Sequence, residues 1–289
     1  MNKVRIVTDS SALFIDPTIV RRYEVTVVPV RLQMGENTYR LGVDIGAEEF
    51  LRRIQREDVI PKLIPPTPED FLDVYKRLNR DVSQIISLHL SARLGQVCHN
   101  AKIASQMLLG RCDIEVVDSQ TISAGLGMLV DKTGQITSET DDLEDIVRLV
   151  RRTIPRIYAV FYVEKMNVIR EQGLIGAAQT ILGTMLGIMP FLTIEEGQLM
   201  IMEKARTHAQ AIEKLAEFAM EFASIDQMAL LTHTTSLTEP IRLLQDRLAL
   251  ELQGQDFPTM LYDPSIGSFL GADATGLVIL EGEEEDIIA

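Results

Sequence analysis

The chain has 289 residues, 46% hydrophobic and 24% charged, which supports a sizeable core and argues against a disordered chain. Its 42 acidic residues against 28 basic ones leave a formal net charge of −14, which repels phosphate backbones and anionic membrane surfaces and argues against a nucleic-acid partner. The two cysteines, Cys98 and Cys112, form no CxxC pair, and "MNKVRIVTDSS" leads into a strand pattern rather than a secretory leader. A reduced, cytoplasmic setting is therefore expected.

In chain order, "KVRIVTD" reads as a short buried strand, followed by a short helix around Thr18–Arg22. "VTVVPVRLQ" reads as one strand and "MGENTY" as a turn. "AEEFLRRIQR" has helical spacing, and "PPTPEDFLDVYKRL" starts a helix with Thr67 as N-cap, Pro68 at N1 and acids in the first turn. "QIISLHL" (strand), "ARLGQVCHNAKIASQML" (helix), "DIEVVDS" (strand) and "ISAGLGMLVDK" (helix) follow. Such strand–helix repeats imply parallel strands covered by helices.

The polar stretch "GQITSETDD" leads into the helix "LEDIVRLVRRTI", which marks the expected border between two domains, 1–150 and 151–289. The second half reads as a strand "RIYAVFYV", a helix "EKMNVIREQG" ended by Gly173, and a helix "LIGAAQTILGTML". Next come two strands joined at Glu196–Gly197, the helix "THAQAIEKLAEFAMEFA", the strand "QMALLTH", the helix "TEPIRLLQDRLALEL" and closing apolar strands. The expected fold class is α/β in two domains: an N-terminal three-layer α/β/α domain with a mainly parallel sheet, and a C-terminal α/β domain with a mixed sheet. Residues 172–194 carry no charge before Glu195 and are long enough to span a bilayer, but Gln179, Pro190 and the interspersed Gly and Thr fit a buried helix running into a buried strand. No transmembrane segment is expected.

"IVTDSS" and "EVVDSQ" each place Asp-Ser at the carboxyl end of an apolar strand, the edge where open α/β sheets bind ligands. Each pair equally suits a turn and cap for the next helix. No GxxxxGK[ST], no GxGxxG between strand and helix, and no GxSxG elbow occurs. The four histidines, His89, His99, His208 and His233, lack metal-ligand spacing, so neither a metal nor another cofactor is expected. Near the end, "SIGSFLGADATG" looks like a glycine-rich loop at the rim of a ligand site.

Taken in order, these motifs resemble one family, the DegV proteins, over almost the whole chain. "VRIVTDSSA" is similar to the family's opening strand and TDS turn, "EVTVVPVRL" to its second strand, and "HLSARL" to its serine-rich turn. "VVDS" is similar to its middle DS turn, and "GLIGAAQTILGTMLGIMPFLTIEEGQLMIMEKARTHAQAIEKL", Arg206 included, to its long second-domain signature. The resemblance implies a non-enzymatic protein that holds one long-chain fatty acid or related lipid between two α/β domains, with the acyl tail in the second. It also implies presentation of that lipid to a separate fatty acid kinase subunit.

The departures from the family pattern gather where the resemblance puts the head group. Leu63 and Ile64 stand at a Thr and a Ser, and Ala92 follows the retained Ser91. Gly95, Gln96 and Val97 replace Ser-Gly-Thr, Leu174 stands at an Arg, and Phe269 at a His. A carboxylate taken out of water needs charge-assisted donors, and these side chains offer none. Ser91, Thr67, Ser10, Ser119 and backbone amides remain. The expected lipid-binding set is thus Ser10, Leu63, Ile64, Ser91, Ala92, Gly95, Ser119, Leu174 and Phe269, around a neutral or differently oriented lipid or a mouth closed by Phe269. Two alternatives stay open: a divergent member without lipid binding that acts as a regulatory or interaction module, and a phosphotransferase-like enzyme using Asp9 and Asp118.

Overall fold

The structure, a computed structural model, describes residues 4–57, 59–173, 176, 185–252, 254–255 and 257–283. In chain order it begins β1 (Val4–Asp9), α1 (Ile19–Arg22), β2 (Thr26–Val28), β3 (Arg31–Met34), β4 (Asn37–Arg40) and α2 (Ala47–Arg56). β5 (Lys62–Ile64), α3 (Pro68–Leu78), β6 (Gln84–His89), α4 (Val97–Gln106), β7 (Asp113–Asp118), α5 (Ala124–Glu139) and α6 (Leu143–Thr153) complete the first half. A 3-10 turn, Ile154–Arg156, enters β8 (Ile157–Val163), followed by α7 (Asn167–Glu171) and the hairpin of β9 (Met189–Glu195) and β10 (Gln198–Ala205). α8 (His208–Met220), β11 (Ile225–Thr232), α9 (Glu239–Glu251), β12 (Thr259–Leu261), α10 (Pro264–Leu270) and β13 (Ala274–Glu281) follow.

The first sheet is parallel, in the order β2-β1-β6-β7. Side chains alternate across a strand, and the apolar ones on both faces are buried. Ile6, Ile86 and Leu88 pack with Leu126, Leu129, Ile146 and Val150 of α5 and α6. Val7 and Ile85 pack on the opposite face with Phe71 of α3 and with Val97 and Ala101 of α4. This is the expected α/β/α layering.

The second sheet is mixed, in the order β10-β9-β8-β13-β11-β12, with only β11 and β12 parallel. Val160 and Tyr162 of β8 face α8 and α9, joining Ala211, Leu215, Ile241 and Leu244. Ala159, Phe161 and Val163 face the other way, into a core shared with Val7, Val28 and Phe50 of the first half. The two sheets therefore close on one apolar interior.

Four readings of the sequence change. "VTVVPVRLQ" is two strands, because Pro29 has no N–H to continue a ladder. The chain leaves the parallel sheet there, the Val30 amide is taken by Ser10 Oγ at 2.9 Å, and β3 starts an antiparallel sheet of order β4-β3-β5. That sheet absorbs most of the expected turn: only Gly35–Glu36 turns, with Gly35 at φ +59°, and Asn37–Arg40 is strand. The helix read as ending near Lys132 runs on to Glu139, taking in most of the polar stretch. "SIGSFLGADATG" is not a loop throughout, since Asp263 caps the short helix α10 and Pro264 occupies its first turn. Gly271, at φ +90°, then turns the chain into β13.

The cap expected at Thr67 is present as a capping box, with Thr67 Oγ1 accepting from the Asp70 amide at 3.2 Å and Asp70 Oδ2 accepting from the Thr67 amide at 2.9 Å. The uncharged segment delivers its expected strand as β9, whereas the helix expected over 174–186 lies largely outside the described residues. Among the described residues, no helix is long and apolar enough to cross a membrane.

Candidate functional site

β1, β6 and β7 are neighbours, so their carboxyl ends bring three loops together: residues 9–12, 89–95 and 118–123. Both Asp-Ser pairs stand on this edge. Their aspartates do not cap helices. Asp9, fully buried, accepts at Oδ1 from the Ser11 amide (3.0 Å) and hydroxyl, and at Oδ2 from His89 Nδ1 (3.0 Å) and the Leu90 amide (3.0 Å). Asp118 Oδ1 accepts from the Ala92 and Gln120 amides at 3.0 and 3.1 Å. Both carboxylates thus form Asx-type turns and tie neighbouring loops together.

Burial by itself would raise the Asp9 carboxyl. The bond from His89 and the attraction of its ring, with the bonds from Ser11 and Leu90, outweigh burial and hold it below the ordinary 3.8. A carboxylate with every acceptor position engaged is poorly placed to exchange protons with a substrate, which counts against its assignment as an acid/base group.

Sequence reasoning passed over His89. It lies at the centre of a buried chain: Tyr75 Oη bonds to Ser87 Oγ at 2.8 Å, Ser87 Oγ to His89 Nε2 at 2.7 Å, and His89 Nδ1 to Asp9. Phe71 stands edge-on to the imidazole, with ring centroids 4.9 Å apart. The signal was present in "ISLHL": Ser87 and His89 alternate with Leu88 in an otherwise apolar strand, so both point to one face. Burial pushes the Tyr75 hydroxyl up, keeping it neutral as a link in this chain.

The expected lipid-binding residues fall into two groups. Ser10, Ser91, Ala92, Gly95 and Ser119 lie in or beside the loop junction. Ser91 is fully buried; its amide donates to Thr121 O at 3.0 Å and its hydroxyl to Gly197 O at 2.7 Å. Ser119 Oγ accepts from the Thr121 amide and donates to Thr121 O, both at 3.2 Å. Gly95 lies against Leu90, where a Cβ would stand 3.3 Å from Leu90 Cδ2. Leu63 and Phe269 instead pack at the margin of the core shared by the sheets. Leu63 and Ile64 are in β5, paired with Leu32 and Arg31. Leu174 lies outside the described residues.

Two contacts that the sequence did not suggest join the halves at this junction. The β9–β10 tip brings Gly197 onto Ser91. Asp263, at the start of α10, accepts from the Ser123 hydroxyl and from the amide (2.9 Å) and hydroxyl of Ser265. Burial raises the Asp263 carboxyl above its ordinary 3.8 despite these donors. Ser123, at φ 60°, holds a left-handed conformation in the same loop. Among the described residues, no group of three or more His, Cys, Asp or Glu side chains is arranged to hold a metal ion.

Together, the fold and junction define a class: an α/β protein of two sheets with a common apolar interior, whose strand-end loops are met by a hairpin and a short helix from the other half. Residues 3–282 match the family described as "Uncharacterised protein, DegV family", and the chain belongs to the DegV family. It is 31% identical over 284 residues to a DegV domain-containing protein of Caldanaerobacter subterraneus, covering 97% of this chain and 100% of that one. Its structure is similar to that of a fatty-acid-binding DegV family protein from Thermus thermophilus, with a TM-score of 0.82 and 27% identity over 97% of this chain and 100% of that one. A fatty acid binding DegV family protein from Streptococcus agalactiae shares the fold, with a TM-score of 0.87 at 22% identity over 98% of this chain and 100% of that one.

Proposed function

We propose that this protein binds one long-chain lipid without chemically transforming it, holding the acyl chain between halves divided near residue 150. The observation that carries this reading is the whole-chain likeness to the fatty-acid-binding protein of T. thermophilus. The apolar interior shared by the two sheets supports it, because each methylene buried from water contributes about 0.8 kcal/mol and a long chain needs few polar contacts. Leu63, Ile64 and Phe269 would line the apolar path; Ser10, Ser91, Ala92, Gly95 and Ser119 would surround the head-group end; Leu174 belongs to the same proposed set. Delivery to a separate fatty acid kinase is the further step of the same reading, tested by the appearance of acyl phosphate when the loaded protein meets the kinase subunit and ATP.

Native mass spectrometry of protein purified from cells tests the binding itself. The expected result is one lipid per chain, released by organic extraction and regained on adding a long-chain lipid. A chain that carries no lipid and takes none up would instead favour an interaction module.

A further inference from the structure

The parallel sheet ends on β7, the last strand in the order β2-β1-β6-β7, so one side of its backbone has no neighbour in that sheet. Two bonds fix which groups face which way. The Asp113 amide donates to Ser83 O at 2.8 Å, and the Ser119 amide donates to His89 O at 3.1 Å. Along a strand, residues that bond to one neighbour alternate with residues that face the other side. Asp113, Glu115 and Val117 therefore turn their N–H and C=O groups to β6, while Ile114 and Val116 present theirs to the open edge.

A groove of about 920 Å³ runs along this edge, between the end of α4 and the start of α6. Its two walls differ. Ile114 and Val116 pack with Ala101, Ala104 and Leu108 on the α4 side. There Leu109 lines the groove and is 78% exposed. Val117 packs with Ile146 and Val147 of α6, so Asp113 and Glu115, two and four residues before it, lie on the α6 side. The charged groups along the groove are Asp113, Glu115, Asp142 and Glu144 against Arg148 and Arg151, and Arg148 is already paired with Asp145. One wall is apolar and the other is acidic.

We propose that the β7 edge docks an extended segment of a partner protein, added as a further strand, in which apolar residues alternate with lysine or arginine. In strand addition the free main-chain groups give affinity and the alternating side chains give selection. The apolar side chains lie against Leu109 and the basic ones against Asp113, Glu115 and Glu144. Charge opposes a second copy as the occupant. Pairing Ile114 with Val116 of another copy sets Glu115 opposite Glu115, and pairing Ile114 with itself sets Asp113 opposite Glu115, between chains of net charge −14 each. The groove opens at the amino ends of the strands, away from the loop junction, so this docking does not depend on lipid binding.

The experiment titrates the full-length protein into two labelled heptapeptides, one alternating lysine with valine and one alternating glutamate with valine, and reads fluorescence anisotropy at about 0.15 M salt. The lysine peptide should bind about tenfold more tightly than the glutamate peptide. Val116→Pro removes an outward amide and leaves the ladder to β6 intact, so it should weaken the lysine peptide about tenfold. Glu115→Lys combined with Glu144→Lys should reverse the order of the two peptides, and it keeps the test available if the proline variant does not fold. Sedimentation of the protein alone should show no dimer that Val116→Pro dissociates; such a dimer would make a second copy the occupant and overturn the proposal. Absent binding of the lysine peptide, equal binding of the two peptides, or an unchanged order in the double-lysine variant also overturns it. So does an unchanged affinity in folded Val116→Pro, which would mean that net charge alone holds the peptide.

Discussion

Asp9 and Asp263 are both buried carboxyls, yet their environments drive them in opposite directions. Asp9 has four donors, a histidine among them, and lies below the ordinary 3.8; Asp263 is raised because burial outweighs its serine donors. A carboxyl lowered on folding contributes stability that is present above the unfolded value and is lost as pH falls through the folded one. For Asp9 that loss falls below pH 3.8. Asp263 has the reverse sign: as pH rises from 3.8 through its raised value, the folded state ionises later than the unfolded one and stability declines. Urea denaturation across acid and neutral pH should separate the two. Asp9→Asn, which turns an acceptor into a donor facing donors, should cost about 1–3 kcal/mol at neutral pH and flatten the acid-side loss. Asp263→Asn should flatten the decline on the other side. Parallel shifts of both profiles would contradict these assignments.

Among the elements, a glycine permits one of the closest approaches. α5 runs against the loop after β1, and a Cβ at Gly127 would fall 2.0 Å from the Leu13 carbonyl oxygen. Alanine usually improves a helix by about 1 kcal/mol over glycine. Here a backbone stands in the way, so Gly127→Ala should instead destabilise by about 1–3 kcal/mol, the cost of overpacking. A thermal melt showing a stabilised variant would overturn this. The same helix shows what was legible from the chain. Amphipathic spacing and caps, as at Thr67, announced most helices, because those signals are local. The run of α5 through "GQITSE" was hidden, since polar residues read as loop until tertiary contacts bury Thr133 and Thr137. α10 was hidden by its glycines, although Asp263–Pro264 is a start signal of the ordinary kind. At the site, the strand-end serines were readable from their position after apolar runs. The Ser91–Gly197 and Ser123–Asp263 bonds link residues 106 and 140 positions apart, and no local pattern encodes such pairs.

For the whole molecule, the question is whether two halves in sequence behave as two units in folding. One core joins Val7, Val28 and Phe50 to Phe161, Leu192 and Tyr262, so separating the halves would expose large apolar side chains on both. It would also strip Ser91, Ser123 and Ser11 of their partners Gly197, Asp263 and Ser265, leaving polar groups that had been buried without the bonds that satisfied them. Apolar burial is the dominant favourable term in folding, and a half deprived of that shared face loses a large share of it. The full chain should therefore unfold in urea as one transition, the same by far-UV circular dichroism and by the fluorescence of its six tyrosines, which no tryptophan obscures. A fragment of residues 1–150 should show helix content without a cooperative transition, because it keeps its local helix signals and loses the common interior. Two resolved transitions in the full chain, or a cooperative melt of the fragment, would mean that each sheet holds its own core and that the interface is only a docking surface. A single transition would make a ligand bound in the shared interior stabilise both halves together, since anything that binds only the folded state raises the stability of the whole cooperative unit.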